Sequence, residues 1–214
     1  MTRNLLNQMH SHLFGKGELE PVKQAYGVRG DCIEVNCFGV DLTFWTEGDH
    51  PGREEYVLSI GNDSRRDYLS LLEAARQIDR RFVVVTKREL PEPLPPNLEV
   101  IRGAWDSHEL DDSAVRDLYR KASCVVVPLK PGVQPSGQSV TLQAMACGAP
   151  VILTHTQGLW EDEFLLHQHN VVLVPPESAG SLVDALNSLF SDNLLWSKLS
   201  VNRRLYDRTI YQAP

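Results

Sequence analysis

The chain has 214 residues, 42% hydrophobic and 23% charged, the balance of an ordinary globular protein with room for one large domain or one domain and a tail. A formal charge of −7 and a pI near 5.5 exclude a non-specific nucleic-acid binder, which needs a basic surface, but not a local cationic pocket for one diphosphate. No segment approaches the ~18 apolar residues of a spanning helix, and residues 1–16 lack a leader core. The expectation is a cytoplasmic protein, with peripheral attachment to a membrane left open.

In chain order, residues 5–14 suggest a short helix, followed by a charged stretch and a turn region from Gly27 to Gly30. Residues 32–37 alternate like a short strand, and the polar stretch 48–55, with Pro51 and Gly52, reads as a linker. From Tyr56 the pattern becomes regular. Short apolar runs at 56–60, 82–85, 98–101, 124–127, 151–153 and 171–174 predict strands; spacing predicts helices at 67–78, 113–121, 139–147, 178–190 and 194–206. Ser113 is the expected N-cap of its helix, and Gly148 with Pro150 stops the helix before it. Short buried strands alternating with helices predict an α/β fold, a Rossmann-like parallel sheet with helices on both faces. Cys32, Cys37, Cys124 and Cys147 form no CxxC pair, and Cys124 and Cys147 read as packed thiols.

In such sheets ligands bind beyond the carboxyl ends of the strands, where two loops stand out. In the first, Gly61-Asn62-Asp63-Ser64-Arg65-Arg66, Gly61 permits close backbone approach, and Arg65 and Arg66 offer a bidentate grip on a diphosphate. A solvated turn with two surface arginines is the competing reading. The second runs from Pro135 through Ser136, Gly137, Gln138, Ser139 and Val140 to Gly148. Gly137 precedes a helix start whose free amides favour an anion, and Ser139 and Gln143 share a face there. An ordinary capped helix is the alternative.

The stretch Gln143-Ala144-Met145-Ala146-Cys147-Gly148-Ala149-Pro150-Val151-Ile152 closely resembles the Glu-Ala-Met-Ala-Cys-Gly-x-Pro-Val-Ile motif of retaining glycosyltransferases with the GT-B fold, glycosyltransferase family four (group 1). Phe38-Gly39-Val40-Asp41 resembles the Gly-Val-Asp at the entry to that family's C-terminal domain. Gly61 to Asp67 resembles its donor-phosphate loop, and Asn170 to Val174 a late strand. The resemblance implies a single GT-B C-terminal domain at residues 51–214. Residues 1–50 are then an N-terminal segment and linker, the remnant of a missing N-terminal domain.

The implied function is transfer of a sugar from a nucleotide-diphosphate sugar (UDP- or GDP-linked) to a hydroxyl acceptor with retention, without cofactor or metal. The acceptor class is a saccharide or a lipid-linked one. Implied catalytic groups are Arg66 and Arg65, stabilising the departing diphosphate. The implied nucleotide-sugar site comprises Gly61, Asn62, Gly103, Trp105, Lys130, Ser136, Gly137, Gln138, Ser139, Val140 and Gln143, with Gln143 on the ribose and Trp105 beside the base. Trp105 as packing and Lys130 as a surface lysine are the plainer alternatives.

Two departures stand out. The family's paired glutamates correspond to Pro135 and Gln143; glutamine can still hydrogen-bond a ribose, whereas proline cannot replace a carboxylate. The family's arginine after the strand glycine is Asn62, and its lysine aligns with Arg66. The rival reading is therefore a non-catalytic nucleotide-binding or interaction module derived from a glycosyltransferase; inactivity of this chain without an N-terminal domain is a related expectation. A dehydrogenase is rejected because only Gly61 of a Gly-x-Gly-x-x-Gly pattern is present.

His155 is a minor sugar-pocket candidate. His167 and His169 read as exposed polar residues, and Asp111 and Asp112 as loop solvation. Phe44 and Trp45 are candidates for self-association, so the partners expected are a separate N-terminal domain or a second copy.

Overall fold

The computed structural model describes residues 11–36, 38–48, 54–102, 110–160 and 162–201. Six strands form one sheet: β3 (Tyr56–Ile60), β4 (Arg81–Val85), β5 (Leu98–Ile101), β6 (Cys124–Val127), β7 (Val151–Thr154) and β8 (Val172–Val174). All neighbours are parallel, in the order β5-β4-β3-β6-β7-β8. Counted from β3 this is 3-2-1-4-5-6, the doubly wound Rossmann order. The chain steps outward from β3 through β4 to β5, then returns to β6 on the other side and steps outward again. The crevice between β3 and β6 is thus where the winding reverses.

Alternate residues of each strand feed two cores, as the two-residue period of a strand requires. Leu58, Ile60, Val125 and Val127 face one core with Val115 and Tyr119 of α3 (Asp112–Lys121) and with Val140 and Met145 of α4 (Gln138–Ala146). Val57, Cys124 and Val126 face the other, with Leu71 and Leu72 of α2 (Tyr68–Gln77), Leu182 and Leu186 of α5 (Ala179–Ser191), and Leu199 of α6 (Asn193–Val201). The central strands β3 and β6 are buried along their whole length, which is why they read as continuous apolar runs in the sequence.

Helix boundaries follow their caps. Asp67 accepts the Ser70 amide (3.2 Å) at the start of α2, and Ser178 the Ser181 amide (3.2 Å) at the start of α5. At α3 the cap is Asp111, which accepts the Ala114 amide at 2.7 Å. This corrects two expectations, Ser113 as the cap and Asp111 as loop solvation: the earlier carboxylate reaches the free amide first.

Ahead of this domain lie β1 (Ser11–Leu13), α1 (Leu19–Tyr26) and β2 (Ile33–Val35), with β1 and β2 paired in parallel. The helix expected over residues 5–14 is overturned where it is described, since 11–13 pair with β2 as a strand; partnering overrides a weak local pattern. α1 arose where only a charged stretch was read. Pro21 is tolerated in its first turn, and Gly27 ends it at φ 63°. After β2 the chain crosses to the main domain. Trp45 is buried against Tyr119 (5.9 Å between rings), and the Arg116 guanidinium lies 4.4 Å over the Phe44 ring. Trp45 is therefore a core residue and not the exposed self-association patch expected. Cys32, Cys124 and Cys147 are buried. Among the described residues no helix is long and apolar enough to cross a membrane.

Candidate functional site at the switch point

The β3–α2 loop is fixed from below. The Gly61 carbonyl accepts two hydroxyls, Tyr68 Oη at 2.6 Å and Thr86 Oγ1 at 2.7 Å, while the Gly61 amide donates to Val85 O. Burial pushes the Tyr68 phenol above its ordinary pKa, against the weaker opposing pull of the Thr86 hydrogen bond and Arg66, so it stays a donor. Asn62 turns inward: its Oδ1 accepts the Lys87 amide at 2.7 Å. Its carbonyl oxygen braces the turn after β4.

Arg66 is buried at 4% exposure, its guanidinium between the two glycines of the crevice. A Cβ at Gly61 would collide with the arginine side chain, and one at Gly137 would lie 3.1 Å from its Nη1 and 2.6 Å from Val127 Cγ1. These glycines exist at these positions because the buried cation needs the room; Gly137 also sits at φ 77°. The polar neighbours of Arg66 are distant: Ser136 Oγ at 3.5 Å from Nη1 and Asp63 Oδ2 at 3.5 Å from Nη2. Its Nε is buried with no partner among the described residues. A buried guanidinium with unmet donors is a costly arrangement unless a ligand completes it.

The β6–α4 loop is tied on both sides. Leu129 N donates to Thr154 Oγ1 (3.0 Å), Lys130 N to Arg65 O (2.8 Å) and Gly158 N to Gly132 O (2.8 Å). Arg65 bonds the carbonyls of Lys130 and Pro131 and packs on Gly132. It clamps this loop, while Arg66 alone of the pair is buried in the crevice. The Lys130 residue is exposed.

Gly137 then caps α4 with no side-chain bond to the first amides, which leaves that helix end available to an anion. Ser136 lies between the loops, donating to Asp63 Oδ1 at 3.0 Å. Ser139 is half-buried in the first turn, and Val140 is a core residue.

Gln143 is half-buried one turn on, and Tyr119 Oη donates to its Oε1 at 3.2 Å. Tyr119 is fully enclosed; burial, reinforced by the Cys147 thiol and opposed by Arg66, pushes its phenol far above the ordinary range. Gln138 points elsewhere, its Nε2 donating to the Phe14 carbonyl at 2.9 Å. Gly15 packs on Pro135 and Gly17 on Val133 O, so the turn after β1 lies over the β6–α4 loop. Gly103 and Trp105 fall outside the described residues. His155 is exposed beyond β7. His167 is exposed, and its Nδ1 accepts the Leu173 amide at 3.0 Å, a structural role.

The structure therefore gathers Gly61, Arg66, Ser136, Gly137 and the α4 amides at one crevice, with Gln143 one turn along the same helix. Sequence reasoning gave no role to Asp63 or Tyr119. Asp63 carried a usable signal, an acidic residue two before Arg65 whose Oδ1 accepts that amide (2.9 Å) in an Asx-turn. Tyr119 carried none.

A family model described as glycosyl transferases group 1 matches residues 54–192. The chain belongs to that family. Several solved structures share its fold. Sucrose-phosphate synthase from Thermosynechococcus elongatus matches 98% of this chain with a TM-score of 0.76 at 19% identity. Anabaena Alr3699/HepE, solved in complex with UDP-glucose, matches 97% with a TM-score of 0.75 at 16% identity. The C-terminal domain of the group 1 protein LpcC from Francisella tularensis matches 79%, with a TM-score of 0.61 at 23% identity. This group 1 chain spans 56% of the synthase and 62% of HepE, but 95% of the LpcC domain. No curated protein matches it.

Proposed function

We propose that the crevice holds the diphosphate of a nucleoside-diphosphate sugar, and that the chain is the donor half of a retaining glycosyltransferase. The observation that carries this is the buried Arg66 guanidinium, incompletely partnered and walled by Gly61 and Gly137 at the free end of α4. The binding of UDP-glucose by a structural neighbour supports the ligand class. In the reaction the bond from the anomeric carbon to the diphosphate oxygen breaks and one to the acceptor hydroxyl forms, the hydroxyl proton leaving with the nucleotide or to water. Arg66, Ser136 and the α4 amides stabilise the charge that develops on the departing diphosphate. Gln143 meets the ribose, its side chain oriented by the Tyr119 hydroxyl that donates to its Oε1. Gly103 and Trp105 are assigned to the base, and Lys130 to the sugar side.

The β1–α1–β2 unit is assigned to an acceptor-binding domain of the GT-B arrangement, since two parallel strands without a buried face do not make an independent sheet. One observation favours the second reading, a nucleotide-binding module without turnover. Pro135 stands at the position implied for a sugar-binding carboxylate, and it packs under Gly15.

Calorimetric titration with UDP and GDP tests the site. The native chain is expected to bind one of them, and Arg66→Ala to lose about 10–100-fold in affinity, the worth of a charge-assisted bond. Arg66→Lys, which keeps charge but not the fork, should fall between. Equal affinity in a folded Arg66→Ala protein would remove the reading.

A further inference from the structure

Asp63 stands where a ligand anion would be expected. Its Oδ1 accepts from Ser136 Oγ at 3.0 Å and from the Arg65 amide at 2.9 Å; its Oδ2 lies 3.5 Å from Arg66 Nη2. One carboxylate thus spans both loops of the crevice and touches the two side chains assigned to the diphosphate. An ion pair built to persist around a buried guanidinium is short and bidentate. This one is a single long contact that leaves Arg66 Nε bare. The Asp63 side chain is 42% exposed while that of Arg66 is 2%, so the carboxylate can swing into water where the cation cannot.

We propose that Asp63 is an internal stand-in for phosphate, which neutralises Arg66 and links the loops in the free protein and is displaced when the nucleotide binds. Binding is then an exchange of carboxylate for diphosphate at a fixed guanidinium. The exchange has two consequences. The empty crevice is not left with an uncompensated buried cation, whose cost would fall on the folded state. Simple anions bind weakly, since a ligand must outcompete a tethered carboxylate; a diphosphate, with more charge and more acceptor oxygens, can reach Arg66, Ser136 and the α4 amides together. Asp63 therefore sets the affinity threshold of the site. This inference rests on the assignment of the crevice to a nucleoside diphosphate.

The test is Asp63→Asn, which preserves shape and an oxygen acceptor for Ser136 and Arg65 N but removes the charge. In calorimetry with UDP and GDP the variant is expected to bind about tenfold tighter than the native chain, and inorganic pyrophosphate to gain by a similar factor. In thermal melts the variant should start lower than the native protein without ligand and close the gap at saturating nucleotide. Binding by the native chain with equal or weaker binding by Asp63→Asn would overturn the exchange and leave Asp63 a loop brace, with the nucleotide site intact. Failure of both folded proteins to bind either nucleotide or pyrophosphate would overturn the donor assignment and this inference with it. Improved binding of pyrophosphate alone by the variant would keep the stand-in and overturn the nucleotide.

Discussion

The two parallel sheets of this chain obey different rules. In the six-stranded sheet β3 and β6 are buried at every position, and every residue of the two strands except the buried polar Ser59 enters a core on one face or the other. In the two-stranded sheet β1 and β2 contain no buried residue, and neither does α1. The same backbone pairing thus occurs with and without a hydrophobic reason for it. The contacts that tie the smaller unit to the larger one include the Gln138–Phe14 bond, the Lys16–Glu163 pair at 2.6 Å, and glycines laid against the β6–α4 loop. The larger unit has one winding reversal and hence one crevice suited to a ligand; the smaller lies along the rim of that crevice.

This contrast can be broken or sharpened by substitution. The largest effect is expected from Phe82→Ala in β4, whose ring is almost wholly enclosed: about 3–5 kcal/mol of stability should be lost, as measured by urea unfolding. An equally large loss from Val35→Ala in β2 would show that the smaller sheet carries a core too. Next comes Gly137→Ala, which forces a Cβ towards Val127 and Arg66 at a left-handed φ. A loss of about 1–3 kcal/mol in stability is expected, with nucleotide affinity falling at least as far as for Arg66→Lys. Unchanged binding would detach the α4 end from the site.

A smaller effect is expected at the cap of α3. Asp111→Ala should cost about 1 kcal/mol in chemical unfolding, whereas Ser113→Ala should be near neutral, and the reverse ranking would reinstate the sequence-based cap. The smallest is Lys16→Ala. Its ion pair with Glu163 is exposed, so thermal melting should shift by no more than the ~0–1 kcal/mol of a surface pair, and by still less at high salt.

Much of this was legible beforehand, for reasons visible in particular residues. Strand β6 and the Gly148–Pro150 stop after α4 are dictated locally, by a buried β-branched run and by a glycine that ends the helix at φ 75°. The two loops of the crevice were legible for the same reason, because a glycine after a strand and a glycine before a helix are marks of local backbone geometry. Strand β1 and helix α1 were not, because neither buries an apolar stripe, and periodicity reports only burial. The two adjacent arginines could not be told apart in the sequence either. Arg66 is directed between two glycines and Arg65 toward the carbonyls of a loop some 65 residues away.

The sequence by itself determined the class of fold, the alternating strands and helices from Tyr56 onward, and the two loops that meet at the crevice, because each of these follows from the period and turn chemistry of neighbouring residues. Only the tertiary structure decided that β3 and β6 lie side by side, that Tyr119 occupies the oxygen of Gln143, and that Asp63 shares Ser136 with a half-satisfied Arg66. Those contacts join residues 24 to 73 positions apart, and whether such groups meet is fixed by how the strands are ordered and not by anything local to either partner.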